Sequence, residues 1–312
     1  MEKILKGLQK IFVLYLLSFF LFNAIVDKNK IHLRILNNLL STIDYLVEFS
    51  SGEEPFDRET FLGYVDYYKQ ILKYMPRRAD ALGLLGYCYY YLGEKSRAID
   101  FFQEAIDQEP GFFWFHYNLG LIYFQDGLYE KAQDSFKRAL SCDPEKTLKF
   151  VYSSRILQYI GPTDKVDFPV NNGYHKRSRQ EIYQELGTGL EKAYQRARQL
   201  LILSFNETQN FSEMLQAAQI GLENHKGDPL FFYFYAGLGA YQLKNYPVAL
   251  GFFNHCIEKD PRSQAFHYLG LTLLAMHQDQ LARPILQSYE NHKEMYAQKE
   301  NLSPKELLLR VF

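Results

Sequence analysis

The sequence predicts an all-α fold made by stacking copies of one two-helix unit. Three observations predict it: a self-match at a fixed offset, apolar residues at helical spacing within the match, and glycine or proline where helices must stop. The self-match is the densest of the three. A shift of 34 positions carries Leu85 to Leu119, Gly86 to Gly120, Tyr89 to Tyr123, Gly93 to Gly127, Ala98 to Ala132, Phe102 to Phe136, Ala105 to Ala139 and Pro110 to Pro144.

Each matched position has a physical job. Leu85 and Tyr89 lie four apart, on one face of the first helix, where they meet the second helix of the same unit. Gly86 and Ala98 are small because two backbones approach closely only where side chains are short, and Phe102 fills the space between. Gly93 and Gly127 fall where the first helix must end, since glycine tolerates the left-handed conformation that ends helices. Pro110 and Pro144 close the second helix, because proline cannot continue the hydrogen-bond ladder.

The pattern L-G-x-x-Y followed by Ala, Phe, Ala and Pro over residues 79–146 resembles the tetratricopeptide repeat, a helix-turn-helix unit of about 34 residues. The resemblance implies a solenoid of helical hairpins wound as a right-handed superhelix. It also implies a protein or peptide partner held in the concave groove by side chains of the first helices. By that resemblance the groove positions are Tyr87, Tyr90 and Tyr91 in one repeat, Trp114, Tyr117, Asn118, Leu121 and Phe124 in the next, and Phe231, Phe234, Leu238 and Tyr241 in a later block. Chaperone-binding members grip a terminal carboxylate with lysine and arginine at such positions. Aromatic and aliphatic residues stand here instead, with only Asn118 resembling the clamp's asparagine, so that mode is disfavoured.

A repeat array grows by stacking, which makes one elongated solenoid the simplest use of 312 residues. Lys and Arg total 35 against 36 Asp and Glu, so no overall field favours nucleic acid. Tyr and Phe number 25 each, more aromatic surface than inter-helix layers need. Cys88, Cys142 and Cys256 are widely spaced, without the spacing of a zinc or redox site.

The N-terminus carries Lys3, Lys6 and Lys10 ahead of Ile11–Val26, a run interrupted only by Ser18 and Asn23. A helix with no polar face belongs in a membrane or a large core, and preceding lysines mark a signal sequence or signal anchor. Ala24 has Phe22 at the outer cleavage position, so we expect an uncleaved N-terminal hydrophobic helix, residues 1–30. The expected location is a bacterial inner membrane with the repeats on the periplasmic side. A hydrophobic first helix docked on the array is the alternative.

The rest of the chain divides as follows. Residues 31–78 hold an amphipathic helix and a degenerate first repeat whose second helix, Phe61 to Met75, ends at Pro76, 34 before Pro110. Residues 79–146 are the two clear repeats. Residues 147–229 are degenerate repeats: a helix from Thr147 to Ile160, an inserted loop within 161–176, a basic run of His175, Lys176, Arg177 and Arg179, and a helix from Gln180 to Phe205 that Gly187-Thr188-Gly189 could break. The basic run is a solvated cluster or a contact for anionic lipid or a partner. In the repeat fitted across Leu201, Phe205, Phe211, Met214 and Ala218, Ile202 takes the glycine position, which predicts wider helix spacing. Residues 230–296 hold two further repeats, with Gly237, Ala249, Phe253 and Pro261 in register and Tyr241 one place late, then Leu269, Gly270, Ala282 and Leu286. Residues 297–312 include a capping helix from about Pro304.

No catalytic constellation is visible, and neither a cofactor nor a metal is expected. The eight histidines are dispersed and no H-E-x-x-H occurs. His255 beside Cys256 points about 100° away from it on a helix and has no third partner. Asn206-Glu207-Thr208 and Asn210-Phe211-Ser212 match glycosylation acceptors, meaningful only in a eukaryotic secretory protein. The chain reads as a non-enzymatic, membrane-anchored scaffold, with an envelope- or lipid-associated assembly factor or a non-catalytic subunit of an enzyme complex as alternatives. Trp114, Tyr117 and Phe124 form a second apolar stripe beside Leu119, Gly120 and Tyr123. That stripe needs a cover, either a partner or the chain's own segment such as Gly161 to Gly173.

Overall fold

The computed structural model describes residues 58–147, 165–170, 173–224, 229–261 and 263–291, with backbone alone through 189 in the middle stretch. Residues 11–26, the expected helix 147–160 beyond Thr147 and the expected helix from Pro304 lie outside the described residues. No described helix is long and apolar enough to cross a membrane. The chain divides into two compact units, Met1–Phe56 with Leu148–Leu186, and Asp57–Thr147 with Gly187–Phe312.

The second unit is the helical array. α1 (Arg58–Tyr74) packs on α2 (Ala79–Tyr91), which pairs with α3 (Lys95–Gln108). α4 (Phe113–Gln125) pairs with α5 (Tyr129–Ser141). After the insertion come α6 (Arg179–Glu207), α7 (Phe211–Glu223), α8 (Leu230–Gln242), α9 (Tyr246–Lys259), α10 (Ala265–Ala275) and α11 (Asp279–Asn291). Helix α3 stops before Pro110 and α5 stops before Pro144, as a residue without an N–H requires.

The small positions do what their size implies. A Cβ built on Gly86 would stand 3.1 Å from the Phe102 ring, on Gly120 2.7 Å from Phe136, on Gly237 2.6 Å from Phe253, and on Gly270 2.6 Å from Leu286. In these four repeats the glycine of the first helix is therefore the seat of the large residue of its partner helix. Two further seats join neighbouring units. Gly83 receives Phe115 and Gly221 receives Phe232, with hypothetical Cβ distances of 2.2 and 2.3 Å.

The hairpin turns repeat one backbone solution. Gly93, Gly127, Gln209, Lys244 and His277 have φ of 83, 71, 58, 62 and 61°. In each turn the N–H of the following residue reaches back five residues: Glu94 to Tyr89 at 2.8 Å, Leu128 to Tyr123 at 2.9 Å, Asn210 to Phe205 at 2.9 Å, Asn245 to Ala240 at 2.8 Å and Gln278 to Leu273 at 2.9 Å. These are Schellman closures, which satisfy carbonyls the helix end leaves over.

The turns also fix the alignment of the degenerate repeats. Counting back from Gln209 places Ile202 at the glycine position, as expected, and counting on places Ala218 where Phe102 stands in the first clear repeat. Both are fully buried. The bulk has changed sides of the interface, which compensates the expected widening. Counting back from Lys244 makes Tyr241 the equivalent of Tyr90 and not of Tyr89, whose place Ala240 takes. The residue read as one place late is in register at a different position.

Helix α6 stands where the first helix of the next repeat belongs. The buried Gln133 amide on α5 donates to the Ser204 carbonyl at 3.0 Å and to Thr208 Oγ1 at 2.8 Å. Tyr194 stacks on Phe113 at 4.3 Å and donates its hydroxyl to the Cys142 carbonyl at 2.5 Å. Residues 144–147 are helical, and the rest of the helix expected up to Ile160 lies outside the described residues. At Gly187-Thr188-Gly189, where the helix could have broken, α6 runs through all three, since a glycine weakens a helix by only about 1 kcal/mol.

In the first unit the expected loop is a β-hairpin. β1 (Lys165–Val170) pairs antiparallel with β2 (Gly173–Ser178), with Val170 opposite Gly173. Alternation over Val166, Phe168 and Val170 is the strand signal that the turn formers masked.

Candidate partner-binding face

The groove expected from the sequence divides into a filled part and an open part. Tyr87, Trp114, Tyr117, Asn118, Leu121, Phe234 and Leu238 are buried, with Trp114 3% and Tyr117 1% exposed. Tyr90, Tyr91, Phe124, Phe231 and Tyr241 are half-buried. The chain itself therefore covers the stripe that carries Trp114 and Tyr117. Part of the filling is visible in ring contacts, Trp114 edge-on to Tyr117 at 5.7 Å and Phe113 between Tyr117 and Tyr194. In the later block Phe234 lies against Phe253 and Tyr268.

The open part is a rim at the C-terminal ends of the first helices. Tyr90, Phe124, Tyr241 and Leu274 occupy one backbone position: each carbonyl accepts the N–H of the positive-φ residue of its turn, at 3.0, 3.1, 2.9 and 2.9 Å. Leu128 and Leu243 add exposed apolar surface at the turns, 43% and 46%, and Leu274 is 37% exposed. Asn206 is the polar member of the series. Leu128, Leu243 and Leu274 were outside the sequence-expected set. The signal that finds them is the alignment of turns, since their spacing within any one helix is unremarked.

The rim is braced by polar contacts between neighbouring repeats. The Tyr90 hydroxyl donates to Gln125 Oε1 at 2.7 Å, and Lys95 pairs with Asp126. Burial pushes the Tyr90 phenol above its ordinary value, opposed by the bond to Gln125. Behind the rim the His116 ring lies 2.8 Å from the Pro110 carbonyl, and burial holds its pKa below the usual value, so a neutral imidazole donates its Nε2–H there. Tyr89 is clamped beneath Arg97 and Lys69 and stacked on Phe101. These contacts fix aromatic side chains in place. They present no nucleophile with an adjacent base, and among the described residues no group of His, Cys, Asp or Glu could hold a metal.

Residues 79–112 and 113–146 each match the tetratricopeptide repeat family model. The general transcriptional corepressor ssn6 of Schizosaccharomyces pombe is 30% identical over 92 residues, 28% of this chain and 8% of that protein. Tetratricopeptide repeat protein 6 of Homo sapiens is 34% identical over 67 residues, 22% of this chain and 13% of that protein. The chain thus spans a small fraction of the length of either relative. Among solved structures, YrrB, described as a TPR protein with an unusual peptide-binding site, aligns over 73% of this chain and 92% of its own at 14% identity and a TM-score of 0.49. MamA aligns over 69% and 92% at 17% identity and a TM-score of 0.42. The chain carries tetratricopeptide repeats, built as a solenoid of helical hairpins.

Proposed function

We propose that the chain is a non-catalytic, membrane-anchored scaffold that holds a protein or peptide partner along the rim of its first helices. The observation that carries the reading is the recurrence of half-buried or exposed apolar side chains at one backbone position, Tyr90, Phe124, Tyr241 and Leu274. Aromatic anchors on a rigid array are what interface hot spots favour, because little side-chain entropy is lost on contact. The anchor rests on the apolar run Ile11–Val26 behind three lysines. Its proposed place is a bacterial inner membrane, with the repeats outside the cytoplasm.

A photo-crosslinking residue placed in cells at Phe124 or Tyr241 tests the rim, with Glu104 on the outer face of α3 as control. The expected result is the same protein adduct from both rim positions and none from Glu104. Adducts from Glu104 alone would move the binding surface elsewhere. Carbonate extraction tests the anchor separately, since a chain released into the soluble fraction has none.

A further inference from the structure

The outer faces of the second helices change character along the array. Counted from the positive-φ residue of each turn, the residues four and seven places on are Arg97 and Asp100, Lys131 and Asp134, Glu213 and Gln216, Val248 and Gly251, and Leu281 and Pro284. All ten are exposed, and each pair lies on one stripe of its helix. The first three pairs carry charge, and Arg97 and Lys131 are held over the rings of Tyr89 and Tyr123. The last two pairs carry none, and Val248 and Leu281 stand 39% and 59% exposed. A Cβ on Gly251 would meet nothing within 4 Å, so this glycine weakens α9 relative to alanine without seating a neighbour as Gly237 does. Both α9 and α11 pack on α10, which sets the two uncharged stripes one repeat apart.

The charges beside these stripes select the occupant. Over 241–249 the only Lys, Arg, Asp or Glu is Lys244, and over 274–282 it is Asp279. Both are exposed, and neither has an ion-pair partner among the described residues. A two-fold interface needs a surface that complements itself, so that each residue of one copy meets a different residue of the other and the reverse. A cation at one turn and an anion just past the next, bracketing uncharged apolar residues, meet that need. Interface centres are depleted of charge in the same way. We propose that the outer face of α9 and α11 is a self-association surface on which a second copy of this chain docks. A two-fold axis running along the helices, between α9 and α11, lays each α9 over the partner's α11, start to start. Lys244 then meets the partner's Asp279, and Val248 meets the partner's Leu281, each twice in the dimer. The surface belongs to the second helices and depends on neither the rim of the first helices nor the anchor.

The test co-expresses two differently tagged copies of the full chain, one with Val248→Cys and the other with Leu281→Cys, and oxidises them with diamide. The native Cys88, Cys142 and Cys256 are buried and do not compete. A disulfide joining the two tags is expected. Either version expressed alone should give none, because position 248 faces 281 and not itself. Glu104→Cys, on the outer face of α3, paired with Leu281→Cys should also give none. With Lys244→Glu in both copies, or Asp279→Lys in both, the mixed product should fall about fivefold, and the two reversals together should restore it. A mixed product that fails to form overturns the proposal, whether the face is bare or covered by residues 292–312 of the same chain. Equal product from either version alone overturns the two-fold arrangement, and so does a double reversal that recovers nothing over the single ones.

Discussion

The ring of Phe136 occupies the place where a Cβ on Gly120 would stand, with Cε1 2.7 Å from that position. Glycine and phenylalanine form one steric unit across the α4–α5 interface.

Gly120→Ile should overpack this interface and cost about 1–3 kcal/mol, measured by urea unfolding. The repeat around Ile202 and Ala218 offers the natural remedy, with the large residue on the other helix. Gly120→Ile combined with Phe136→Ala should then be less destabilised than the sum of the two single changes. Simple additivity would show that the bulk is not exchanged across the interface.

Turn geometry gives a prediction of opposite sign at equivalent positions. Lys244 sits at φ 62° and Gly127 at φ 71°. Lys244→Gly should stabilise by about 0.5–1 kcal/mol, because the left-handed region is strained for a residue with a Cβ. Gly127→Ala should destabilise by about 1–2 kcal/mol. Equal effects of one sign would refute the shared Schellman geometry.

Gln133 bridges α5 to α6 through two hydrogen bonds from one buried amide. Gln133→Ala should cost about 1–3 kcal/mol and lower the midpoint of unfolding. The same change made at the exposed Gln103 of α3 should move it by less than about 0.5 kcal/mol.

Burial lifts the Cys88 thiol to about 12 and that of Cys142 to about 11. The folded state therefore keeps these protons after the unfolded chain has released them near pH 9. Stability is fully present below the unfolded value and falls as pH rises from there toward the folded values, by about 1.4 kcal/mol per pH unit for each thiol. Cys88→Ala should flatten the decline between pH 9 and 11, followed by denaturant titration in buffers of matched ionic strength. An unchanged slope would mean that Cys88 is not held as the neutral thiol.

The repeats were legible in the sequence because Gly, Phe, Ala and Pro recur at fixed offsets, and each offset corresponds to a contact. Legibility failed where two residues exchanged roles. Ile202 looked like a defect because its compensation, Ala218, lies sixteen residues on and matches no signature. The turns at Gln209, Lys244 and His277 carried no glycine to mark them, so Tyr241 seemed out of register. For the candidate site, the residue types were visible but their cover was not. Trp114 and Tyr90 look alike as aromatic residues on first helices, and only tertiary packing separates the buried one from the rim. The hairpin was hidden because Asn171, Asn172 and Gly173 read equally as a loop or as the tip of two strands.

The joint at Gln133 and Ser204 joins residues 71 apart in the chain, whereas Lys95 and Asp126, which link neighbouring repeats elsewhere, are 31 apart. Contacts between adjacent repeats form while little chain has to be gathered in, but this one must close a loop more than twice as long, at a penalty of about 0.7 kcal/mol. The array is thus two runs of short-range order with a slow seam between them. Each run can nucleate alone, and association across the seam comes last. In native-state hydrogen exchange the amides of α5 and α6 along the seam should open below the global unfolding free energy, so the array parts there first.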